Sequence, residues 1–505
     1  MRDEQNSHSV AGVKGRPVSR PAVTLALCLL SNVFAGLLAT LMAAYLPATT
    51  RDLTGMVDPA TVGRVGSYVG SLFLAGWAVG GVGFGWMADR YGRAHTFTTT
   101  LLLFAVATLA ASRSETWPIL VACRLVTGIG IGGTMVVSAI LVAEAWHERA
   151  RAIAMGFLGV SFPVGIISAG AVSYRIDDWR TGFLVGALPL VLGVVSLVLV
   201  RDTAHWVESH AERHRSGGGS PFRALLSPDN RRNFALGATI FGTMSIGLWA
   251  TFSWLPAWAQ DLGGKGETAQ HQRGTLMMVL GMGGILGGAL SGWLANAIGR
   301  RGTLLLSFVG SFLASGVLLL TNHAISPVVF GETAFLAVFF GISQGALGSY
   351  IPELFPIGVR ATATGVCFNV GRVVTAAAVF FIGVLVPVLG GYGNAISAFS
   401  VMYMLGALAT WFGRETRGVS STLCAVWSRT NVVRGHRESC ESDESTRIAP
   451  CAGTFSNRGS RGAPFRCLSG QRRNCLQRGS GGCTRIPRIK RGDPRCERST
   501  PTMNA

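Results

Sequence analysis

The nonapeptide GWMADRYGR at Gly85–Arg93 returns 207 residues later as GWLANAIGR at Gly292–Arg300. The two copies are identical at five of their nine positions, and each stands at the end of an apolar stretch. So many matches in so short a segment indicate an ancestral duplication. The chain is therefore predicted to consist of two related halves.

A second pair of residues repeats in step with the first. Glu144 and Arg151 are seven positions apart after the fourth apolar stretch, and Glu353 and Arg360 are seven apart after the tenth. An apolar stretch of about 20 residues crosses the hydrocarbon core of a bilayer as a helix. Twelve such stretches predict an all-α membrane protein of two six-helix bundles. Their approximate bounds are 23–47, 66–88, 96–112, 117–143, 152–174, 181–200, 233–257, 273–296, 302–321, 325–352, 362–387 and 393–413.

The composition supports a membrane protein and argues against nucleic-acid binding. Mean hydropathy is +0.41 and only 14% of the 505 residues are charged, whereas soluble proteins carry about 25%. The net charge of +19 is concentrated at one end, because residues 414–505 hold eighteen basic and seven acidic side chains. Most of the remaining positive charge lies in short loops and in the N-terminal segment. That distribution is typical of cytoplasmic loops and not of a nucleic-acid surface.

The cysteines and the absence of enzyme motifs exclude several other classes. Seven of the ten cysteines lie after residue 413, without the Cys-x2-Cys spacing of a zinc site. The other three, Cys28, Cys123 and Cys367, are scattered along the apolar body. No P-loop, metal-ligand cluster or nucleophile motif occurs. The sequence therefore predicts no enzymatic activity, no metal and no cofactor.

Basic residues in the loops predict that both termini face the cytoplasm. With that orientation sixteen basic residues of the N-terminal segment, the short loops and the central connector are inside, against seven outside. The seven outer ones are Arg51, Arg64, Arg113, Arg175, Arg180, Lys265 and Arg273. An even number of spans requires the two termini to share one side.

Five segments follow from these patterns. They are a cytoplasmic N-terminal segment 1–22, an N-terminal half 23–200, a cytoplasmic linker 201–232, a C-terminal half 233–413 and an Arg/Cys-rich tail 414–505. The linker contains SGGGS at Ser216–Ser220, a composition typical of a flexible connector. The tail has the composition of a disordered segment. It is equally explained as the product of a GC-rich gene translated out of frame, and codon usage across position 418 distinguishes the two.

The motifs resemble those of the major facilitator superfamily. Its loop signature G-x-x-x-D-R-x-G-R is met by Gly85, Asp89, Arg90, Gly92 and Arg93. Four further stretches resemble the superfamily: RLVTGIGIGG at 124–133, WRTGFLVGALP at 179–189, PELFPIGVR at 352–360 and RETRG at 414–418. The resemblance covers residues 20–418. It implies a monomeric secondary transporter of the inner membrane that moves a small molecule between two bundles by alternating access.

The same resemblance implies a gate on the cytoplasmic side, which stabilises the state closed to the cytoplasm. The gating set comprises Gly85, Asp89, Arg90, Gly92, Arg93, Glu144, Arg151, Gly292, Gly299, Arg300, Glu353 and Arg360. Asp89 can pair with an arginine or accept hydrogen bonds from the start of a neighbouring helix. The alternative is that these charges only set the topology. The second copy has Asn296 and Ala297 where the first has Asp89 and Arg90, so the first half is expected to carry most of the charged gate.

Two arginines inside predicted spans point to an anionic substrate, because intramembrane charges are costly and usually functional. Arg124 lies in the outer half of span 4, and Arg372 lies about ten residues into span 11. The alternative for Arg124 is that it bonds the carbonyls of a neighbouring helix. The neutral candidates are Asn32, Trp249, Trp254, Gln344 and Asn369. Each amide can also be simple helix–helix contact, and the tryptophans can be a lid or part of an interfacial belt.

The resulting hypothesis is proton-coupled uptake of a small polar metabolite, in particular an organic anion. The pattern is similar to the organic-acid and sugar-porter-like branches, except that span 1 carries Asn32 and no acid. Proton coupling follows from the resemblance alone, because Asp89, Glu144, Glu332 and Glu353 all lie near the ends of spans. A drug or metabolite exporter is the main alternative, weakened because Phe162 precedes Pro163 where such exporters have Gly-Pro. A transporter-like receptor is less consistent with an intact first-half gate.

Overall fold

The computed structural model describes residues 21–56, 58–146, 148–202, 227–263, 267–356 and 359–416. Within these ranges twelve helices are long and apolar enough to cross a membrane, and no strand occurs. The all-α fold and the number of spans are thus confirmed. The predicted N-terminal segment as far as residue 20, most of the linker and the tail after residue 416 lie outside the described residues.

Among the described residues six membrane-spanning helices belong to the first half and six to the second. The first six are α1 Pro21–Thr54, α2 Pro59–Tyr91, α3 Arg93–Ser112, α4 Trp117–Ala145, α5 Glu148–Arg175 and α6 Trp179–Leu199. A 3₁₀ turn, Leu184–Gly186, interrupts α6. The second six are α7 Pro228–Gly263, α8 Glu267–Ala297, α9 Gly299–Thr321, α10 Pro327–Glu353, α11 Arg360–Leu385 and α12 Tyr392–Trp411. Each overlaps one predicted span.

Several helices extend beyond the apolar stretches that predicted them. The largest consequence concerns Arg273, which the sequence assigned to an outer loop but which lies inside α8 and is 5% exposed. The physical reason is that α8 begins with the polar turns of Glu267–Gln272. A hydropathy criterion sees only apolar residues, so it places the start of such a helix too late.

Successive spans alternate in direction, so the turns α2–α3 and α8–α9 lie on the same side of the molecule. We call this side the motif face, because both copies of the nonapeptide lie there, and the opposite side the far face. Gly92 and Gly299 form the two turns with φ values of 106° and 82°. Only glycine adopts such angles without strain, which explains why both copies keep it.

The duplication is visible in how the helices pack. In the first half a Cβ atom at Gly80 of α2 would lie 1.9 Å from the carbonyl oxygen of Ile129 in α4. In the second half a Cβ atom at Gly287 of α8 would lie 2.0 Å from the carbonyl oxygen of Val338 in α10. Both pairs therefore need glycine for their backbones to approach so closely. Two six-helix bundles related by the repeat are confirmed by this equivalence.

The two halves meet along α5–α8 and α2–α11, pairs that the repeat relates to each other. Near the far face both seams are tight. A Cβ atom at Gly170 would lie 2.5 Å from the carbonyl oxygen of Gly274, and one at Gly63 would lie 2.5 Å from that of Gly383. The Ser67 hydroxyl also donates a hydrogen bond of 2.9 Å across the α2–α11 seam to the Phe380 carbonyl.

Towards the motif face the same seams separate. Gly159 continues the face of α5 that carries Pro163 and Gly170, and Gly288 continues the facing side of α8. A Cβ atom at either position would meet no atom of another helix within 4 Å. Gly365 at the start of α11 is equally open. The two halves therefore enclose a cleft that is closed at the far face and open at the motif face.

Candidate substrate pathway and gate

An aromatic wall lines the depth of the cleft where the two halves meet. Trp77 and Phe73 of α2 lie 5.7 Å apart between ring centroids. Trp249 of α7 packs edge-on against Trp77 at 5.5 Å, and Phe162 of α5 lies 5.8 Å from Trp77. Helices from both halves thus build one cluster of rings, in which Phe73 and Trp77 are buried and Phe162 and Trp249 are partly exposed. Aromatic rings of this kind suit a flat apolar ligand.

Arg372 of α11 lies against this wall. Its guanidinium carbon is 5.3 Å from the centroid of Trp77 and 5.5 Å from that of Phe241. One terminal nitrogen donates a hydrogen bond of 3.4 Å to the Asn369 side-chain oxygen. Among the described residues no carboxylate lies within 4 Å of Arg372. The cation therefore retains several hydrogen-bond donors for an anion, beside rings that can stack on its substituent.

Arg124 of α4 is 2% exposed and is largely occupied by backbone. Its terminal nitrogens donate hydrogen bonds of 2.8 and 3.2 Å to the carbonyls of Leu38 and Ala39 in α1. The guanidinium carbon lies 4.3 Å from the centroid of Phe73. This is the alternative that the sequence left open, in which Arg124 holds a neighbouring helix. Its Nε atom is buried and has no acceptor among the described residues, so one donor remains available.

A small cavity lies between Arg124, Phe73 and Trp249 and includes the Thr40 and Ser253 side chains. It is therefore built by α1, α2, α4 and α7, with contributions from both halves. Its polar lining is sparse, and Arg124 supplies the only charge among the lining residues.

Trp254 separates the cavity from the far face. The side chain is fully buried and is stacked on Tyr392 at 5.7 Å. Its ring would lie 2.6 Å from a Cβ atom at Gly66 and 2.4 Å from one at Gly383. Trp254 thus belongs to the closed seam and does not line the open cleft, which agrees with a lid and not with an interfacial belt.

The remaining neutral candidates are placed differently. Asn369 lies beside Arg372, and its amide donates to the Gly365 carbonyl at 2.8 Å. The Asn32 amide donates to Cys28 within its own helix at 2.8 Å. Gln344 is exposed and is not among the residues that line the cavity. The structure therefore brings Arg124, Trp249, Asn369 and Arg372 to the aromatic wall, and it leaves Asn32 and Gln344 outside that group.

Phe73 and Trp77 are candidate pathway residues that the sequence analysis did not single out. Both are apolar residues in an apolar span, so nothing in the pattern distinguishes them from residues that pack in the core. The one available signal is Trp77 in the small-residue run Leu74–Gly81, LAGWAVGG. A large ring among small residues indicates a cleft that the ring fills.

At the motif face Arg93 is the centre of the first-half cluster. It is 5% exposed and lies 2.9 Å from an Asp89 oxygen and 3.2 Å from a Glu144 oxygen. It also donates to the Ala88 carbonyl at 2.7 Å. Arg90 points elsewhere, with its guanidinium carbon 5.5 Å from the centroid of Trp86. Within the first half, Arg93 and not Arg90 joins the acidic residues.

The second half repeats this cluster with fewer charges. The Nε atom of Arg300 lies 3.5 Å from a Glu353 oxygen. Arg151 and Arg360 occupy equivalent positions, because they donate to the carbonyls of Trp146 at 3.4 Å and Phe355 at 3.3 Å. Each of these two arginines therefore holds the end of the preceding helix, α4 or α10.

Asp202 and Glu415, which the sequence analysis did not single out, lie next to these two clusters. Asp202 accepts a hydrogen bond of 2.9 Å from the Ala94 backbone, and Glu415 accepts bonds of 3.0 and 3.1 Å from the backbones of Arg300 and Arg301. Each thus neutralises the positive N-terminal end of α3 or α9. The sequence suggested that Asp89 could accept hydrogen bonds from the start of a neighbouring helix. In the structure Asp202 accepts such a bond at the start of α3. A sequence signal existed: RDT at 201–203 recurs as RET at 414–416, each after the last span of a half.

Asp89→Asn is expected to reduce the transport rate about tenfold without preventing membrane insertion. The substitution removes one carboxylate from Arg93 and so weakens the cluster that the gate uses when the motif face closes. Transport by the purified variant in proteoliposomes checks this expectation, with Asn296→Asp as a control at the equivalent position of the second half. An unchanged rate for Asp89→Asn would exclude a gating role for this carboxylate.

Comparison with known proteins identifies the family. The sequence profile of the Major Facilitator Superfamily matches residues 26–379. The chain belongs to the major facilitator superfamily. The resemblance noted in the motifs is thereby confirmed, and the protein is a multi-pass membrane transporter of a small metabolite and not an enzyme. A bacterial transporter of this type is located in the inner membrane.

Relatives and solved structures agree with this assignment. The chain is 30% identical over 390 residues to a probable 4-methylmuconolactone transporter of Cupriavidus pinatubonensis, covering 74% of this chain and 86% of the relative. It is 29% identical to a cis,cis-muconate transport protein of Acinetobacter baylyi, covering 63% and 77%. The fold is similar to the partially occluded inward open xylose transporter XylE from E. coli. The TM-score is 0.65 and the identity 16%, over 79% of this chain and 99% of that one.

Proposed function

We propose that this superfamily member takes up a small organic acid, as its anion, together with a proton. The substrate we favour has a flat, unsaturated carbon skeleton and at least one carboxylate. The observation that carries the proposal is Arg372, a cation without a carboxylate within 4 Å among the described residues, placed against the Trp77 ring in a cleft between the halves.

Arg372 and the aromatic rings each suit one part of such a molecule: the arginine suits the carboxylate, and the rings suit the flat carbon skeleton. A guanidinium binds a carboxylate through paired hydrogen bonds, and it lies well on aromatic faces. Trp77, Phe73 and Trp249 supply ring surface on which a diene or an aromatic ring gains stacking energy. Phe162 adds a further ring to this group. It directly precedes Pro163, at the position where exporters of the superfamily have glycine. This residue thus favours a flat substrate over the export alternative.

The relatives support the same class of substrate. Two of them are named as transporters of cis,cis-muconate and of 4-methylmuconolactone. Muconate is a flat, conjugated dicarboxylate. A molecule of this kind would suit both the aromatic wall and Arg372 of this chain.

Alternating access accounts for the geometry of the seams. The positive charge of the turns at the motif face indicates that this face is cytoplasmic and that both termini are inside. The described conformation is then open to the cytoplasm and closed to the outside. The opposite state requires the α5–α8 and α2–α11 seams to open at the far face and close at the motif face.

Proton coupling is proposed from the family resemblance. The acids of the gate lie at the motif face, where Glu144 contacts Arg93 and Glu353 contacts Arg300. Glu332 lies elsewhere, since it accepts a hydrogen bond of 2.6 Å from Asn322 at the far end of α10. For coupled uptake we expect the rate to increase when the outside is more acidic than the inside.

A transport assay with matched probes tests the function. Proteoliposomes containing the full chain are expected to take up benzoate and cis,cis-muconate, and acidification of the outside is expected to accelerate this uptake. Benzamide has the shape of benzoate without its charge, and xylose represents the sugar-porter alternative; both are expected to be transported at least tenfold more slowly. Equal transport of benzamide and benzoate, or preference for xylose, would contradict the proposal. Accumulation only in inside-out vesicles would favour the exporter, and binding without counterflow would favour the receptor.

A further inference from the structure

Besides Arg124 and Arg372, a further arginine lies between the cavity and the far face. Arg273 of α8 is 5% exposed, and its two terminal nitrogens donate hydrogen bonds to the side-chain oxygens of Gln260 in α7 and Gln270 in α8. Its Nε atom is buried and has no acceptor among the described residues. No carboxylate in the described part of the chain lies within 4 Å of it. This arginine has no role in the pathway described above.

Its level along the pathway follows from its partner in α7. Gln260 lies seven residues beyond Ser253, which lines the cavity together with Arg124. At 1.5 Å per residue, seven residues correspond to about 10 Å along the helix axis. Arg273 thus lies nearer the far face than Arg124.

The next step towards the motif face is one turn of α2. Arg124 lies over Phe73, and Arg372 lies over Trp77, four residues further along that helix. Arg273, Arg124 and Arg372 therefore occupy three successive levels from the far face to the open cleft; the first two are buried and Arg372 is partly exposed.

The partners of Arg273 resemble a bound carboxylate. Two amide oxygens from separate side chains meet its terminal nitrogens, as the two oxygens of one carboxylate would. These oxygens are neutral, so they stabilise the cation less than an anion does. The amides thus satisfy a cation whose better ligand is a carboxylate.

One of these amides also spans the closed seam. The Gln270 side-chain nitrogen donates a hydrogen bond of 3.0 Å to the Ser173 carbonyl of α5, in the other half. Beside it the rings of Tyr174 and His271 are stacked at 4.5 Å across the same seam. Opening of the far face must break both contacts. Gln270 then loses its tie to α5, and Arg273 becomes accessible from outside.

We propose that Arg273 is the first binding site for the substrate carboxylate, used when the far face is open. The anion displaces the amide oxygens of Gln260 and Gln270 and then moves inward past Arg124 to Arg372. Closure of the seam returns Gln270 to Ser173 and prevents the anion from leaving. This inference rests on the proposed function. It predicts that Arg273 affects the KM for substrate that enters from the outside and not for substrate that enters from the inside.

Transport measured from each side tests the inference. In right-side-out vesicles Arg273→Gln is expected to raise the KM for cis,cis-muconate at least tenfold. In inside-out vesicles the half-saturation concentration is expected to change less than twofold. Arg64→Gln removes an exposed arginine at the far end of α2 and serves as the control, with an expected change below twofold on both sides. An equal increase from both sides, or no increase from outside, would overturn the inference.

Gln260→Glu provides a second test that keeps the buried arginine and the shape of its partner. The new carboxylate pairs with Arg273 permanently, so the external KM is expected to rise at least tenfold while the internal value stays within twofold. An unchanged external KM would refute the capture site even if Arg273→Gln failed to fold. If the wild-type protein transports no carboxylate from either side, the proposed function and the inference both fail. If it does and these variants behave like wild type, only the inference fails.

Discussion

Arg372→Gln is expected to raise the dissociation constant for benzoate about 100-fold. The glutamine keeps a polar side chain beside Trp77 but removes the positive charge and the paired donors that face a carboxylate. A charge-assisted hydrogen bond contributes about 1.5–3 kcal/mol, and 100-fold in affinity corresponds to about 2.7 kcal/mol. Isothermal titration calorimetry of the purified protein in detergent measures the constant directly.

Two further variants, Arg372→Lys and Arg124→Gln, help to interpret this result. Arg372→Lys keeps the charge without the planar fork and is expected to lose about tenfold in affinity. Arg124→Gln removes the two bonds to Leu38 and Ala39, so we expect it to lower the thermal stability as well as the affinity. Equal affinity of wild type and Arg372→Gln for benzoate would remove the main support for an anionic substrate. Equal loss of benzamide binding would show that the arginine only maintains the cleft.

Gly170→Val is expected to reduce transport at least 50-fold and to hold the far face open. A Cβ atom at Gly170 would lie 2.5 Å from the Gly274 carbonyl oxygen, so valine and the closed α5–α8 seam cannot coexist. Valine is tolerated once the two helices separate, because the clash is with the other half. The population therefore shifts towards the state open to the outside.

Labelling of a cysteine at Ser253 reports this shift. Ser253 lines the cavity on the motif side of Trp254, so an impermeant thiol reagent reaches it from outside only when the far seam is open. In a background without the native cysteines, Ser253→Cys combined with Gly170→Val is expected to react at least tenfold faster than Ser253→Cys alone. Equal labelling rates would show that the seam does not control access.

Gly159→Val is the matched control on the same face of α5. In the described conformation a Cβ atom there would meet no atom of another helix within 4 Å, so the far seam stays closed and Ser253→Cys remains protected. Transport is nevertheless expected to fall, because α5 and α8 must approach here when the motif face closes. Gly316→Val in α9, also in open space, is expected to leave transport and labelling unchanged.

Much of the fold was predictable from local patterns. Apolar length decides where a chain can cross a bilayer, because an unpaired peptide group in hydrocarbon is costly. The repeated nonapeptide and the Glu-x6-Arg pairs placed the two halves in register. The positions of Gly92 and Gly299 followed as well, since only glycine forms those turns. Helix ends were less accurate, because polar turns such as Glu267–Gln272 are helical without being apolar.

The pathway residues were only partly predictable. Arg124 and Arg372 were recognisable as charges in apolar spans, a signal that does not depend on neighbours. Their partners were not recognisable, since the Arg124 ligands are backbone carbonyls and any sequence in α1 supplies those. Arg273 was misplaced for the opposite reason: its surroundings in the sequence are polar, and only the packing of α7 against α8 buries it.

The amino-acid sequence alone thus specified a duplicated twelve-helix transporter with charged turns on one face, because length, hydropathy and glycine spacing act locally along the chain. Tertiary packing decided which of those charges meet. It paired Arg93 with Asp89 and Glu144, and it assembled Phe73, Trp77, Trp249 and Phe162 from three helices. It also closed the far seam while the motif face stayed open. Apart from the Asp89–Arg93 and Phe73–Trp77 pairs, which are four positions apart, such contacts join residues 51 to 313 positions apart. They are determined by how the helices pack together and not by any local pattern.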